Sequence, residues 1–279
     1  MPRSPDERIT VRRVPLPFPA DLDPVICEGQ PEESFLNVGL SLLLPYLEPY
    51  LIRTMREAKK QLQDPALIAD IDGFNAQEGQ HYRQHIRFNE AIRSRVPEAM
   101  RALESELDAD YQRFSKTRSL RWNLAYAEGF EAFTTAMARF SFETGMIDHL
   151  VPPARELFRW HLIEELEHRT VAFDVYEAIG KSYFYRLFVG LYAQWHLNRF
   201  VLRASRALTI ADPEGFRRKY GGLRAAWGRT RPMLWLAARR LFPKIFATYL
   251  PWYTPHEIPL PPGAAELAAQ YTAMADKVG

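Results

Sequence analysis

The sequence predicts an all-α protein: a bundle of four long helices with further helices added after it. Three observations carry this. From Phe35 onward the apolar residues recur with helical period. Proline and glycine punctuate the chain at Asp64-Pro65, Gly145, Pro152-Pro153 and Gly180, where helices would start or stop. No stretch alternates convincingly with the period of a strand. The expected organisation is an N-terminal arm over 1–34, a bundle over 35–180 and a helical extension over 181–279, packed together as a single domain. A chain of 279 residues can bury a sizeable core without staples.

Taken in order, the arm holds seven prolines (Pro2, Pro5, Pro15, Pro17, Pro19, Pro24 and Pro31) and should be extended. The alternation of Ile9, Val11 and Val14 suggests that part of it lies along the surface. Pro45 and Pro49 place the start of the first regular helix near Pro45, with Pro49 in its first turn or at a kink. That helix ends before Asp64, which with Pro65 forms an N-cap and first-turn pair for a second helix running to about Arg95. Pro97 opens a shorter acidic segment. A third long helix is expected from about Ser115 to Glu143, stopping near Gly145. The fourth starts at Pro152-Pro153, runs to Ile179 and stops at Gly180. An aromatic helix follows over 182–210, with a restart at Asp212-Pro213. Gly221-Gly222 and Pro232 divide the next part into shorter helices. A small alanine-rich peripheral helix follows Pro261-Pro262.

A net charge of +2 is too mild to imply nucleic-acid binding. The lone Cys27 excludes an intramolecular disulfide. The start of the chain lacks the apolar core of a signal peptide. The most apolar candidate for a span, residues 183–202, is interrupted by Arg186, Gln194, His196, Asn198 and Arg199. A soluble cytoplasmic protein is the expectation.

Two helices carry Glu-x-x-His. On the second, Glu78 and His81 stand at i, i+3, with His85 one turn on; on the fourth, Glu165 and His168 do the same, and His161 precedes them on the same stripe. Two such motifs on long helices are the ligand pattern of carboxylate-bridged dimetal sites, which also require one glutamate from each of the other two helices. Glu48 and Glu131 supply these. Glu48 precedes Glu78 by 30 residues and Glu131 precedes Glu165 by 34. Glutamates can bridge two cations and balance their charge, and neutral imidazoles complete each sphere. Burying so many carboxylates without a cation would be prohibitive.

Each residue has a plainer reading. Glu48 could be a surface glutamate, and His161 a hydrogen-bonded core histidine; the ligand reading is preferred for both. Glu128 shares a face with Glu131 and is the less favoured ligand, available as a supporting acid. For His85, ligand and supporting roles are evenly balanced. Glu164 and Glu167 read as a solvated or salt-bridged face. Thr135 could reach the oxygen side of a metal pair, but a hydroxyl bonded to the helix backbone is the preferred reading. His149, His196 and His256 lack partners at ligand spacing and read as structural. Arg53, Arg56, Arg83 and Arg87 fall off the ligand stripe, so no cation stands beside the motifs to clamp a phosphate.

Four blocks, PYLEPYLIRTMR, FNAQEGQHYRQHIRFN, GFEAFTTAM and WHLIEELEHRTVAFDVY, resemble the bacterial proteins catalogued as predicted metal-dependent hydrolases with a ferritin-like bundle. They span about residues 41–176. The third block favours Glu131 over Glu128. Pro49, directly after Glu48, departs from the unkinked residue expected there. The set Glu48, Glu78, His81, Glu131, His161, Glu165 and His168 is also similar to that of the non-haem di-iron arylamine N-oxygenases. That similarity implies two iron ions, with manganese or zinc as alternatives, and oxidation of a small organic substrate by O₂. The catalogue name implies hydrolysis instead. A storage role is the third reading, and the long C-terminal extension counts against it.

From Phe216 to His256 there are nine Lys or Arg and no acid, interleaved with Trp227, Trp235, Phe242, Phe246 and Trp252. Contact of 216–252 with a membrane surface is one reading; a lid or homodimer face with solvated arginines is preferred.

Overall fold

The computed structural model describes residues 9–277; Pro2 and Pro5 of the arm lie outside them. The described residues form α1 (Pro31–Lys59), α2 (Pro65–Ile92), α3 (Ala99–Thr117), α4 (Leu120–Thr144), α5 (Pro152–His168), α6 (Val171–Ile179), α7 (Tyr183–Ile210), α8 (Pro213–Tyr220), α9 (Leu223–Arg240), α10 (Phe242–Ala247) and α11 (Ala264–Asp276), joined by short 3₁₀ turns. The class is all-α, as the periodicity requires. The caps follow the sequence: Asp64 accepts from the Ala66 amide at 2.9 Å, and Asp212 from the Gly215 amide at 2.9 Å. Gly145 ends α4 in the left-handed region at φ 68°.

Three boundaries differ from expectation. α1 begins at Pro31 and passes unbroken through Pro45 and Pro49. Proline at 45 removes the amide that would bond the Ser41 carbonyl; that carbonyl instead accepts from Asn89 Nδ2 of α2 at 2.9 Å. The fourth helix is two, α5 and α6, separated at Arg169-Thr170, where the Arg169 guanidinium donates to the Leu166 carbonyl at 2.6 Å. α9 runs through Pro232, at an exposed position where a solvated carbonyl is tolerated.

α1, α2, α4 and the α5–α6 pair surround the interior, while α7 packs against α1 and α4. The α4–α7 crossing is tight: a Cβ on Gly129 would come within 2.3 Å of the Gly190 Cα, and the Gly129 carbonyl accepts from Gln194 at 3.1 Å. The aromatic fifth long helix is therefore buried on its inner face. Its outer face leaves Phe184, Phe188, Leu191 and Trp195 exposed. α1 is the one described helix long and apolar enough to cross a bilayer by length and composition, and 67% of its most apolar window is buried inside the molecule.

The arm lies on the bundle, but in the opposite phase for Val11. Val11 is exposed, whereas Arg12, Val14 and Leu16 point inward. The Val14 carbonyl accepts from Gln84 at 3.0 Å, and the Leu22 amide donates to the Ala91 carbonyl at 2.8 Å.

Candidate metal centre

All seven sequence-predicted residues converge inside the bundle. Glu48 comes from α1, Glu78 and His81 from α2, Glu131 from α4, and His161, Glu165 and His168 from α5. Each is buried, His161 being the most exposed at 4%. Their donor atoms form three overlapping groups, each within 4.8 Å: Glu48–His81–His161, Glu78–His81–Glu165 and Glu78–Glu131–His168. His161 Nε2 lies 2.9 Å from Glu165 and 3.8 Å from Glu48. His168 Nε2 lies 3.3 Å from Glu131, 3.4 Å from Glu78 and 3.6 Å from Glu165. The cluster thus has two poles, with Glu78 and Glu165 between them.

Hydrogen bonds behind the cluster fix how each imidazole is presented. His168 Nδ1 sits 3.0 Å from the Gln77 carbonyl oxygen, whose amide nitrogen donates to the Thr10 carbonyl and to Glu167. Gln77 therefore accepts from Nδ1–H, and Nε2 is the His168 nitrogen that faces the carboxylates. His81 Nε2 is 3.0 Å from Glu164, which turns Nδ1 inward as a lone pair. For His161 the chain is longer. Asn89 donates to the Ser41 carbonyl, so its oxygen accepts from Ser41 Oγ at 2.7 Å. Ser41 Oγ must then accept from His85 Nδ1 at 2.8 Å, leaving His85 Nε2 to accept from His161 Nδ1–H at 2.8 Å. Nε2 is the nitrogen that His161 turns toward the cluster, hydrogen-bonded to Glu165 at 2.9 Å and 3.8 Å from Glu48. An imidazole whose far nitrogen is fixed by a hydrogen bond, with the near nitrogen aimed at carboxylates, is the arrangement found at metal-ligating histidines.

The electrostatics point the same way. Both oxygens of Glu48, Glu78 and Glu131, with Glu165 Oε2, His81 Nδ1 and His168 Nε2, are buried without a hydrogen-bond partner. Orphaned buried acceptors are costly. Burial pushes Glu48 and Glu78 well above the ordinary carboxylate range, helped by neighbouring carboxylates, and raises Glu131 to about 7. Burial also opposes ionisation of Glu165, but His168 and His161 hold it well below the usual range. His168 is raised to about 10: burial opposes this, and Glu165 and Glu131 outweigh it. His81 and His85 are held well below the ordinary imidazole value by burial and by His161. Four carboxylates balance the charge of two divalent cations, and the donor set of oxygen and imidazole nitrogen suits iron, manganese or zinc. The residues present therefore fit a metal pair.

The remaining candidates sort cleanly. His85 stands in none of the three groups and backs His161. Glu128 is engaged by Arg186 at 2.7 Å, away from the cluster. Glu164 is not solvated: it is fully buried, accepts from Trp160 Nε1 at 3.1 Å and pairs with Arg12 at 3.3 Å. Glu167 is salt-bridged to Arg12 at 2.6 Å. Thr135 Oγ1 has no partner, while its neighbour Thr134 bonds the Glu131 carbonyl, so the backbone-bonding expectation holds for the wrong threonine. His196 is structural, between Tyr126 at 2.8 Å and Asp110 at 3.2 Å; His256 pairs with Asp174 at 2.7 Å. Arg53, Arg56, Arg83 and Arg87 are exposed.

Arg12 is the residue that sequence reasoning missed. Its guanidinium makes five hydrogen bonds, to Thr272, the Thr10 carbonyl, Glu164 and twice to Glu167. Through Glu164 it reaches His81, and through Glu167 and Gln77 it reaches His168. The signal was in the arm: the phase of Val14 and Leu16 turns residue 12 inward.

A buried set of carboxylates and imidazoles on packed helices defines a metal-binding protein of the all-α class. The model of the family described as predicted metal-dependent hydrolase matches residues 10–258, and the chain belongs to that family. No curated protein and no solved structure matches it.

Proposed function

We propose that the chain is a dinuclear metal enzyme. Glu48, His81 and His161 would hold one ion and Glu131 and His168 the other, with Glu78 and Glu165 available to both, in a ferritin-like four-helix cage. The observation that carries this reading is the set of buried, unpartnered carboxylate oxygens gathered within 4.8 Å of one nitrogen from each of three imidazoles. Within the metal-dependent family, the reaction we favour is oxidation of a small organic substrate by O₂. Two iron ions in this cage would supply the electrons that dioxygen takes up.

The protein's own part is threefold. The Ser41–His85, Glu164 and Gln77 contacts hold the imidazoles in register. Phe74, Phe158 and Trp160, packed on the imidazole rings at centroid distances of 4.7 to 5.6 Å, keep water from the centre. Arg12, whose guanidinium is hydrogen-bonded to Glu164 and Glu167 behind the cluster, is committed to protein groups and so is not free to clamp an anionic substrate. The second reading is hydrolysis, supported by the family description; redox-inert ions in the same cage would supply Lewis acidity and an acidified water.

Protein produced with iron, reduced anaerobically and then exposed to O₂ separates the two. The favoured reading predicts O₂ uptake and a Mössbauer signature of two coupled ferric ions. Stable zinc or manganese occupancy with no O₂ uptake would transfer the assignment to hydrolysis.

A further inference from the structure

α9 and α10 present a surface that the metal centre does not call for. Neither helix has a buried residue. On α9, Leu223, Trp227, Leu234 and Trp235 are exposed at 91, 59, 46 and 64%. At 100° per residue the four fall within about 120° of the helix circumference, one continuous face. Trp235, Phe242 and Phe246 recur at intervals of seven and four, and Leu241 between the helices keeps right-handed helical angles, so α10 continues the stripe. A contiguous exposed apolar surface of this kind marks an interaction site.

The same face is cationic. No acid occurs between Phe216 and His256. Arg229 and Lys244 are tied inward, to Glu32 and Glu143, each at 2.6 Å. Arg224, Arg231, Arg239 and Arg240 are exposed, and no acidic partner for them occurs among the described residues. By helical position Arg224 and Arg231 lie among the apolar residues, and the Arg239 guanidinium stands 5.0 Å from the Trp235 ring centre.

The partner must offer hydrocarbon and negative charge together. A second copy docking through this face would set arginine against arginine with no acid to receive them. A nucleic acid offers phosphates but nothing for Leu223, Leu234 and the two phenylalanines. The headgroup and acyl boundary of an anionic bilayer offers both: charged headgroups for the arginines, and the interface where tryptophan rings settle. We propose that the α9–α10 face docks this protein on an anionic membrane surface. Trp227 and Trp235 enter the interface, and Arg231 and Arg239 lie in the headgroup layer. The bundle and its metal centre stay in the aqueous phase.

The test is flotation of the full chain with large unilamellar vesicles at low salt. One set is phosphatidylcholine alone; the other contains about 30% phosphatidylglycerol, enough to set up an anionic surface. The protein is expected to float with the anionic vesicles, to remain below with the neutral ones, and to be released by high salt. The double variant R231Q/R239Q should lower partitioning about thirty-fold. W227A/W235A should weaken binding at least as much. All four substituted side chains are exposed, so metal content and melting temperature should stay unchanged. Failure to float with anionic vesicles overturns the proposal, as does binding that ignores both pairs of substitutions. A concentration-dependent dimer abolished by W227A/W235A without vesicle binding also overturns it and assigns the face to a second copy; tight binding of duplex DNA without vesicle binding assigns it to nucleic acid.

Discussion

Arg12→Met tests how the arm supports the centre. The substitution keeps most of the buried stem and removes the guanidinium, which lies 3.3 Å from the fully buried Glu164 and 2.6 Å from the partly exposed Glu167. Removing one partner of a buried ion pair costs about 3–5 kcal/mol because the other charge is left uncompensated. Here the cost depends on pH. Burial already raises Glu164 to about 8, against Arg12's opposing pull, so at pH 6 this carboxyl is protonated in both proteins and only the Glu167 contact is lost. At pH 8.5 Glu164 is ionised in the parent and the whole contact counts. Urea unfolding of the metal-free proteins should therefore show a loss of about 3 kcal/mol at pH 8.5 and up to about 1 kcal/mol less at pH 6, the most that a carboxyl titrating near 8 contributes over that interval. Because Glu164 orients His81, metal affinity should also fall by about 10- to 100-fold, as for other disrupted outer-sphere partners. A loss below about 1 kcal/mol at both pH values, or unchanged metal affinity, would refute the role given to Arg12.

Further consequences follow for the centre and its frame. His168→Ala should abolish binding of at least one metal ion, whereas His196→Ala, between Tyr126 and Asp110, should leave metal content unchanged by elemental analysis. Gly129→Val should destabilise by more than about 2 kcal/mol in denaturant unfolding, because any Cβ there meets the α7 backbone. In the metal-free protein Glu131 is raised to about 7 and Glu164 to about 8, from an ordinary 4.5. The native state then holds protons that the unfolded chain has released, so stability falls as pH rises from 6.5 to 8, above the range in which the depressed His81 and His85 act in the opposite sense. His168, raised to about 10 from 6.5, adds stability that is full below 6.5 and is lost toward 10, in the same direction. Metal binding requires deprotonated ligands, so the rise in melting temperature on adding iron or zinc should grow over the same range; a flat profile would contradict these shifts.

The clustering of the candidate ligands was legible because they obey local rules. Glu78 with His81 and Glu165 with His168 sit at helical spacing, and residues that share a face stay together once the helix forms. The supporting contacts were not legible, because they join positions remote in sequence. Ser41 decides the role of His85 from 44 residues away and is itself fixed by Asn89 across 48, and Arg12 meets Glu164 across 152. The same distance explains the misplaced start of α1: a proline in isolation ends a helix, but Asn89 on the neighbouring helix satisfies the carbonyl that Pro45 leaves open. Of the two readings given for Glu164, solvated or salt-bridged, the salt bridge holds, to Arg12; its burial was not legible, because only the arm's packing produces it. In the extension, composition marked the basic, tryptophan-bearing stretch correctly, while its exposure on α9 and α10 could only be seen once α7 had taken the place against the bundle.

The central claim is a two-ion centre built from seven named side chains, and the most direct test is metal content after anaerobic loading with ferrous iron and removal of loosely bound metal. The account predicts two iron ions per chain in the parent protein and one or fewer in Glu78→Ala, which loses the carboxylate proposed to serve both ions. One ion or none in the parent protein, or two retained in Glu78→Ala, would contradict it.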